Sequence, residues 1–185
     1  MLSNRAGSMK CEYFEDCCIF DLETTGLSTL NDAVIEISAI KVRGGKAVEE
    51  FSMLVDPGVP IPYQASYVNG ITDAMVAGKP NFEEALEKFL EFVGDDVLVG
   101  HNIYSFDLRF LQRDAFTYWG KAIGNDYVDT LRMARRYLPL ERRHGLGNLA
   151  CHYGIPVVNA HRALGDCRMN LQIYQKLGEE MHSKG

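Results

Sequence analysis

No apolar run in the 185 residues approaches the roughly 20 consecutive residues a membrane-crossing helix needs. The first ten residues, MLSNRAGSMK, carry no apolar stretch of the kind a secretory signal has. A cytoplasmic chain that touches no membrane is the expectation. Proline is sparse, and neither it nor glycine recurs with a period, so fibrous and linker compositions are excluded. The five cysteines, Cys11, Cys17, Cys18, Cys151 and Cys167, are odd in number and have no C-x-x-C spacing. Disulfide frameworks and thiolate zinc sites are therefore not expected. A basic excess is also missing: 19 Lys+Arg face 25 Asp+Glu, for a net charge of −6. Binding to nucleic acid by bulk charge alone is disfavoured, but an enzyme whose carboxylates hold metal ions is not.

What is present is an ordinary globular composition, 46% hydrophobic and 24% charged. The length favours one domain, spanning 13–178, between a flexible leader (1–12) and a short tail (179–185). The run Cys17–Leu22 is short and apolar before it meets acids, as in a buried central strand. Residues 33–43 and 47–55 flank Gly44-Gly45, a hairpin signal, so the first third reads as three mostly antiparallel strands. Beyond it, helices over 82–93, 106–118, 130–138, 146–153 and 163–177 alternate with short strands at 97–101 and 127–129. That order suggests a mixed sheet with helices packed on its faces.

Three places gather groups able to do chemistry. Asp21 and Glu23 alternate with apolar neighbours at the end of the first strand, so both point to one face. Two such acids repel one another and are costly to desolvate, unless a hard divalent cation lies between them. The strand at 97–101 ends at His101-Asn102, and Asp107 follows in what reads as the first turn of a helix with Ser105 as its N-cap. Last comes His161-Arg162-Ala163-Leu164-Gly165-Asp166. On one helix this spacing separates His161 from Asp166 by about 140°. They converge only if His161 lies on the loop 155–160 and its exit, before the helix, and Asp166 lies inside it. A histidine so placed suits a general base.

Taken together, Asp21-Leu22-Glu23-Thr24-Thr25-Gly26-Leu27, then His101-Asn102-x4-Asp107, then His161-x4-Asp166 resemble the three motifs of the DEDDh (DnaQ-like) 3′–5′ exonuclease superfamily. Val68-Asn69-Gly70-Ile71-Thr72 resembles its intervening segment. The sister branch carries Tyr-x3-Asp in the third motif, and position 162 here is Arg, so the likeness is to the His branch. Within it, the proofreading exonucleases of bacterial DNA polymerase III are most similar. The resemblance implies an RNase H-like α/β fold, a five-stranded mixed sheet flanked by helices, and hydrolysis of phosphodiester bonds with two divalent ions, Mg²⁺ or Mn²⁺, about 3.5–4 Å apart. It implies Asp21 bridging both ions, Glu23 and Asp166 completing one site, Asp107 helping to hold a weaker second, and His161 as base. Thr24, Thr25, Gly26, Leu27, Ile71, Thr72 and Phe106 are implied contacts to the terminal nucleotides. His101 and Asn102 either bind the scissile phosphate or hold their loop. The implied partners are a single-stranded DNA 3′ end and a polymerase subunit. RNA trimming and a non-catalytic interaction role are the alternatives. Arg132, Arg135, Arg136, Arg142, Arg143 and His144 form a basic segment, either a solvated face or a track for the upstream strand. Trp119 reads as core or rim.

Overall fold

A computed structural model describes residues 1–158 and 161–184. Its main sheet has five strands in the order β4-β3-β2-β5-β7. Strand β2 (Cys17–Thr24) is the centre, β3 is Val34–Arg43, β4 is Lys46–Leu54, β5 is Leu98–Gly100 and β7 is Tyr127–Asp129. The β2–β3 and β3–β4 pairs are antiparallel, with β3 and β4 joined across Gly44-Gly45, whereas β2–β5 and β5–β7 are parallel. The expected α/β fold with a five-stranded mixed sheet is the one observed. Because β2, β5 and β7 run the same way, their C-terminal ends lie along one edge, the place where open α/β sheets put their sites.

Helices pack on both faces. Helix α3 (Phe82–Val93) is fixed at its start by a capping box, Asn81 accepting from the Glu84 N–H and Glu84 accepting from that of Asn81. With α4 (Asp107–Trp119) it covers Phe20, Leu22 and Leu98. Half-buried Trp119 packs at the rim of that core. On the other face, α5 (Thr130–Tyr137), α6 (Leu146–Tyr153) and α7 (Ala163–Lys184) enclose Cys17, Ile19, Val99 and Tyr174. Two short helices, α1 (Tyr63–Asn69) and α2 (Asp73–Val76), close a small cluster of Ile35, Ile61, Ile71 and Val76.

Three details differ from the sequence reading. The leader is seated along the domain. Strand β1 (Leu2–Ser3) pairs with β6 (Ala122–Ile123), the amino terminus bonds to the Asn125 side chain, and Lys10 donates to the Tyr127 carbonyl at 2.7 Å. At the other end α7 runs to Lys184, so the expected tail is helical through that residue, with Glu180 and Lys184 paired at i,i+4. Helix α4 starts at Asp107 with Phe106 in the cap position, and Ser105 is not its cap. Of the expected loop 155–160, Asn159 and Ala160 lie outside the described residues. All five cysteines are free; burial pushes the Cys17 thiol up to about 12.

Candidate active site

The site grows from the end of β2. A side chain at Gly100 would run into Ile103 and stand 3.0 Å from the Phe20 carbonyl oxygen, so only glycine lets β5 close against β2 beside Asp21. Asp107, in the first turn of α4, then accepts the Leu22 N–H at 3.2 Å, between Asp21 and Glu23 in sequence. Asp166 comes from the first turn of α7. Carboxylate oxygens of Asp21, Glu23 and Asp166 all lie within 4.8 Å of one another. Asp107 stands outside that tight group.

The electrostatics follow from this crowding. Burial, then the charges of Asp107, Glu23, Asp166 and Glu36, push the Asp21 carboxyl well above its ordinary range. Burial and then Asp166, Glu36 and Asp107 hold Glu23 at about 8, despite a hydrogen bond from the Asn69 side chain. Burial raises Asp107 to about 7, against the stabilising Leu22 N–H. Burial also raises Asp166, partly offset by the His161 N–H.

His161 is exposed and sits in the left-handed region at φ 64, immediately before α7, with its N–H directed at Asp166 Oδ1 at 3.4 Å. This is the placement that convergence with Asp166 required. His101 is different. Its Nδ1 pairs with Thr130 Oγ1 at 3.0 Å, Thr130 bonds onward to Asn170, and burial pulls the imidazole down to about 4. A neutral, half-buried ring engaged at Nδ1 is suited to holding its loop. Asn102 adopts φ 61 and donates its N–H to Asp129 Oδ1 at 3.0 Å.

The 24–27 turn is knitted internally. Thr24 Oγ1 donates to the Gly26 carbonyl at 2.7 Å, and Thr25 Oγ1 bonds to Asp32. Both threonine side chains are buried, which leaves the backbone and the 88% exposed Leu27 to face outward. Thr72 is exposed and Phe106 is half-buried, edge-on to Phe110. Ile71 departs from the expectation of a base contact. It is fully buried with Ile35, Ile61 and Val76, so its side chain is a core group.

Several residues that organise the site carried no motif signal. Asp129 accepts the N–H groups of Asn102, Tyr104 and Leu131, tying the 101–104 loop to the start of α5. Arg113 reaches the Thr29 and Asp32 carbonyls at 2.9 Å and so holds the loop after β2. Asn69 touches Glu23, and Glu36 binds Arg162. Apart from the local Leu131–Asp129 bond, each contact joins segments remote in sequence. Of these, only Asn69 offered a hint, through its place in the 68–72 segment that resembles the family.

A profile of the exonuclease family (RNase_T) matches residues 18–174. The chain belongs to the exonuclease family. It is a 3′–5′ exonuclease of the DnaQ type, a hydrolase of phosphodiester bonds. Among curated proteins, it is 42% identical over 175 residues to the PolC-type DNA polymerase III of Clostridium perfringens, covering 92% of this chain but 12% of that protein. It is 39% identical to the DNA polymerase III epsilon subunit of Aquifex aeolicus, covering 90% of this chain and 82% of that one. The exonuclease thus spans a small part of the first relative and most of the second. Among solved structures, Exonuclease X in complex with 5′ overhanging duplex DNA superposes with a TM-score of 0.74 at 30% identity, covering 88% of this chain and 91% of that one. Exonuclease I of E. coli in complex with a dT13 oligonucleotide gives 0.75 at 18% identity, covering 92% and 42%, and shows the shared fold.

Exonucleases of this family depend on a divalent metal. The residues here fit one. The donor set is all carboxylate oxygen, which suits a hard cation, and no basic side chain is paired with Asp21, Glu23 or Asp166 among the described residues. Among the described residues no helix is long and apolar enough to cross a membrane.

Proposed function

We propose that this exonuclease removes nucleotides from the 3′ end of single-stranded or frayed DNA and works as a proofreading module alongside a polymerase. The convergence of the Asp21, Glu23 and Asp166 oxygens within 4.8 Å carries the reading. These three would hold one divalent cation, Mg²⁺ or Mn²⁺. Asp107, with Asp21, would help hold a second, more weakly. Bound there, the ions supply positive charge to the phosphate and acidify a water. His161, exposed beside Asp166, takes the proton from the attacking water. The water oxygen bonds to phosphorus, the bond to the preceding 3′ oxygen breaks, that oxygen takes a proton from solvent, and a nucleoside 5′-monophosphate leaves a shorter strand ending in 3′-OH.

The substrate end lies between the backbone of 24–26, Leu27, Thr72 and Phe106. Leu27 and Phe106 offer apolar surface to bases without reading them, as proofreading requires. His101 and Asn102 shape the loop that carries Asp107. DNA is favoured over RNA because the relatives are parts of DNA polymerases and a DNA-bound nuclease. Arg132, Arg135 and Arg136 are exposed on α5, where Arg132 stacks on Tyr104 at 4.4 Å, and would carry the upstream phosphates. Calorimetric titration with Mn²⁺ tests the metal site. Asp166→Asn should weaken binding at least ~10-fold, since one of three charged ligands is lost. Undiminished affinity would contradict the reading.

A further inference from the structure

Glu36 is a buried acid with no part in the chemistry described so far. It lies opposite Glu23 in the β2–β3 register, and directly opposed residues share a face. It is 3% exposed. Its carboxylate is nonetheless fully used. Arg162 Nε donates to Oε2 at 3.0 Å, Arg162 Nη2 donates to Oε1 at 2.7 Å, and the Ala163 N–H donates to Oε2 at 3.2 Å. The two donor residues directly follow His161. A two-pronged guanidinium–carboxylate pair fixes orientation as well as distance.

His161 itself stands in a backbone region that a residue with a Cβ rarely adopts, at φ 64. On one side its N–H is aimed at Asp166. On the other, Arg162 and Ala163 are anchored to the rigid centre of the sheet through Glu36. We propose that Glu36 and Arg162 are positioning residues that set His161 against the acid cluster, a role that rests on His161 being the general base. Neither touches the reacting atoms. The strand that supplies Glu36 is hydrogen-bonded to β2 in antiparallel register, so the base and the Asp21–Glu23 pair are registered to the same two strands.

A double-mutant cycle on a 5′-labelled single-stranded DNA tests this, with kcat and KM separated and Mn²⁺ affinity measured by calorimetry. Arg162→Gln should lower kcat by ~10–100-fold, the scale of a misplaced catalytic group, with KM changed less than about 2-fold. Mn²⁺ affinity should stay within about 2-fold of wild type, because the acids keep their places. Added to His161→Ala, Arg162→Gln should cost nothing further, because the group it positions is gone. Arg162→Lys should recover little, since an ammonium cannot span both oxygens. Multiplied losses in the double variant, a parallel fall in Mn²⁺ affinity, or full activity in Arg162→Gln would each overturn the proposal. If Arg162→Gln does not fold, Glu36→Gln, which keeps an acceptor for Arg162, serves the same cycle and should show a smaller loss with the same non-additivity. His161→Ala at full rate would instead remove the assignment of the base, and this proposal with it.

Discussion

Replacing Glu23 by Gln should stabilise the metal-free protein, by an amount that grows with pH. Glu23 is held at about 8 against an ordinary 4.5, first by burial and then by Asp166, Glu36 and Asp107. A carboxyl raised in this way favours the fold while protonated. That contribution is complete below its unfolded value and is lost as pH climbs towards its folded one. Each pH unit in that window costs ~1.4 kcal/mol. At pH 7 the folded acid stays largely protonated while the unfolded chain ionises, and, allowing for the partial exposure of Glu23, that difference costs the fold about 2–3 kcal/mol that an amide does not. For a domain of this size that is roughly 5–10 °C in Tm. His101, held at about 4 by burial, acts in the opposite sense, losing stability as pH falls from 6.5, but it is common to both proteins and cancels in the difference. The assay is thermal melting by circular dichroism in EDTA from pH 4.5 to 8. The two proteins should match near pH 4.5 and separate steadily above it. Adding Mn²⁺ at pH 8 should raise the wild type more than the variant. Parallel melting curves, or a variant less stable at pH 8, would refute the picture of acids crowded together to await a cation.

Other substitutions probe other parts of the site. Asp21→Ala or Asp166→Ala should abolish hydrolysis in the oligonucleotide digest while leaving the far-ultraviolet spectrum and cooperative melting intact; activity in either removes the metal-site assignment. His161→Ala should lower turnover by ~10²–10⁴, the usual worth of a positioned base; an unchanged rate would make His161 structural. Asp129→Ala deprives the Asn102, Tyr104 and Leu131 N–H groups of their acceptor and should cost about 2–4 kcal/mol in urea unfolding; a loss under ~0.5 kcal/mol would show that water replaces it.

The parts of this fold legible in the sequence are those written in local patterns. Cys17–Leu22 announced the central strand by its apolar run, Gly44-Gly45 marked the hairpin, and the period of α3 was plain from Phe82 to Val93. The acids at 21, 23, 107 and 166 are each ordinary alone, at a strand end or in a first turn; they stood out through their joint order with His161, which resembles the family's three motifs. What stayed hidden depends on distant partners. The leader is polar and looks loose, yet it lies along the domain because Asn125, Tyr127 and the short strand at 122–123 offer it hydrogen bonds. Asp129 and Glu36 looked like ordinary strand residues, and only folding brings each to a loop more than twenty residues away. Helices α1 and α2 are too short to show a period. Ile71 sits beside polar Thr72, and only the closing of α1 and α2 over Ile35 decides that it faces inward. The last turns of α7 carry ion pairs of Lys176 with Glu179 and of Lys184 with Glu180 on a segment with little apolar content, which leaves no clear period to read.

The most direct test of the central claim is a matched digest. A single-stranded DNA and an RNA of the same sequence, each labelled at the 5′ end, are incubated with the protein in Mg²⁺, in Mn²⁺ and in EDTA. The expected result is a ladder that shortens from the 3′ end with either metal, stops in EDTA, and advances faster on DNA than on RNA. Folded protein that leaves both strands intact with either metal, or that cuts as well in EDTA, would contradict it.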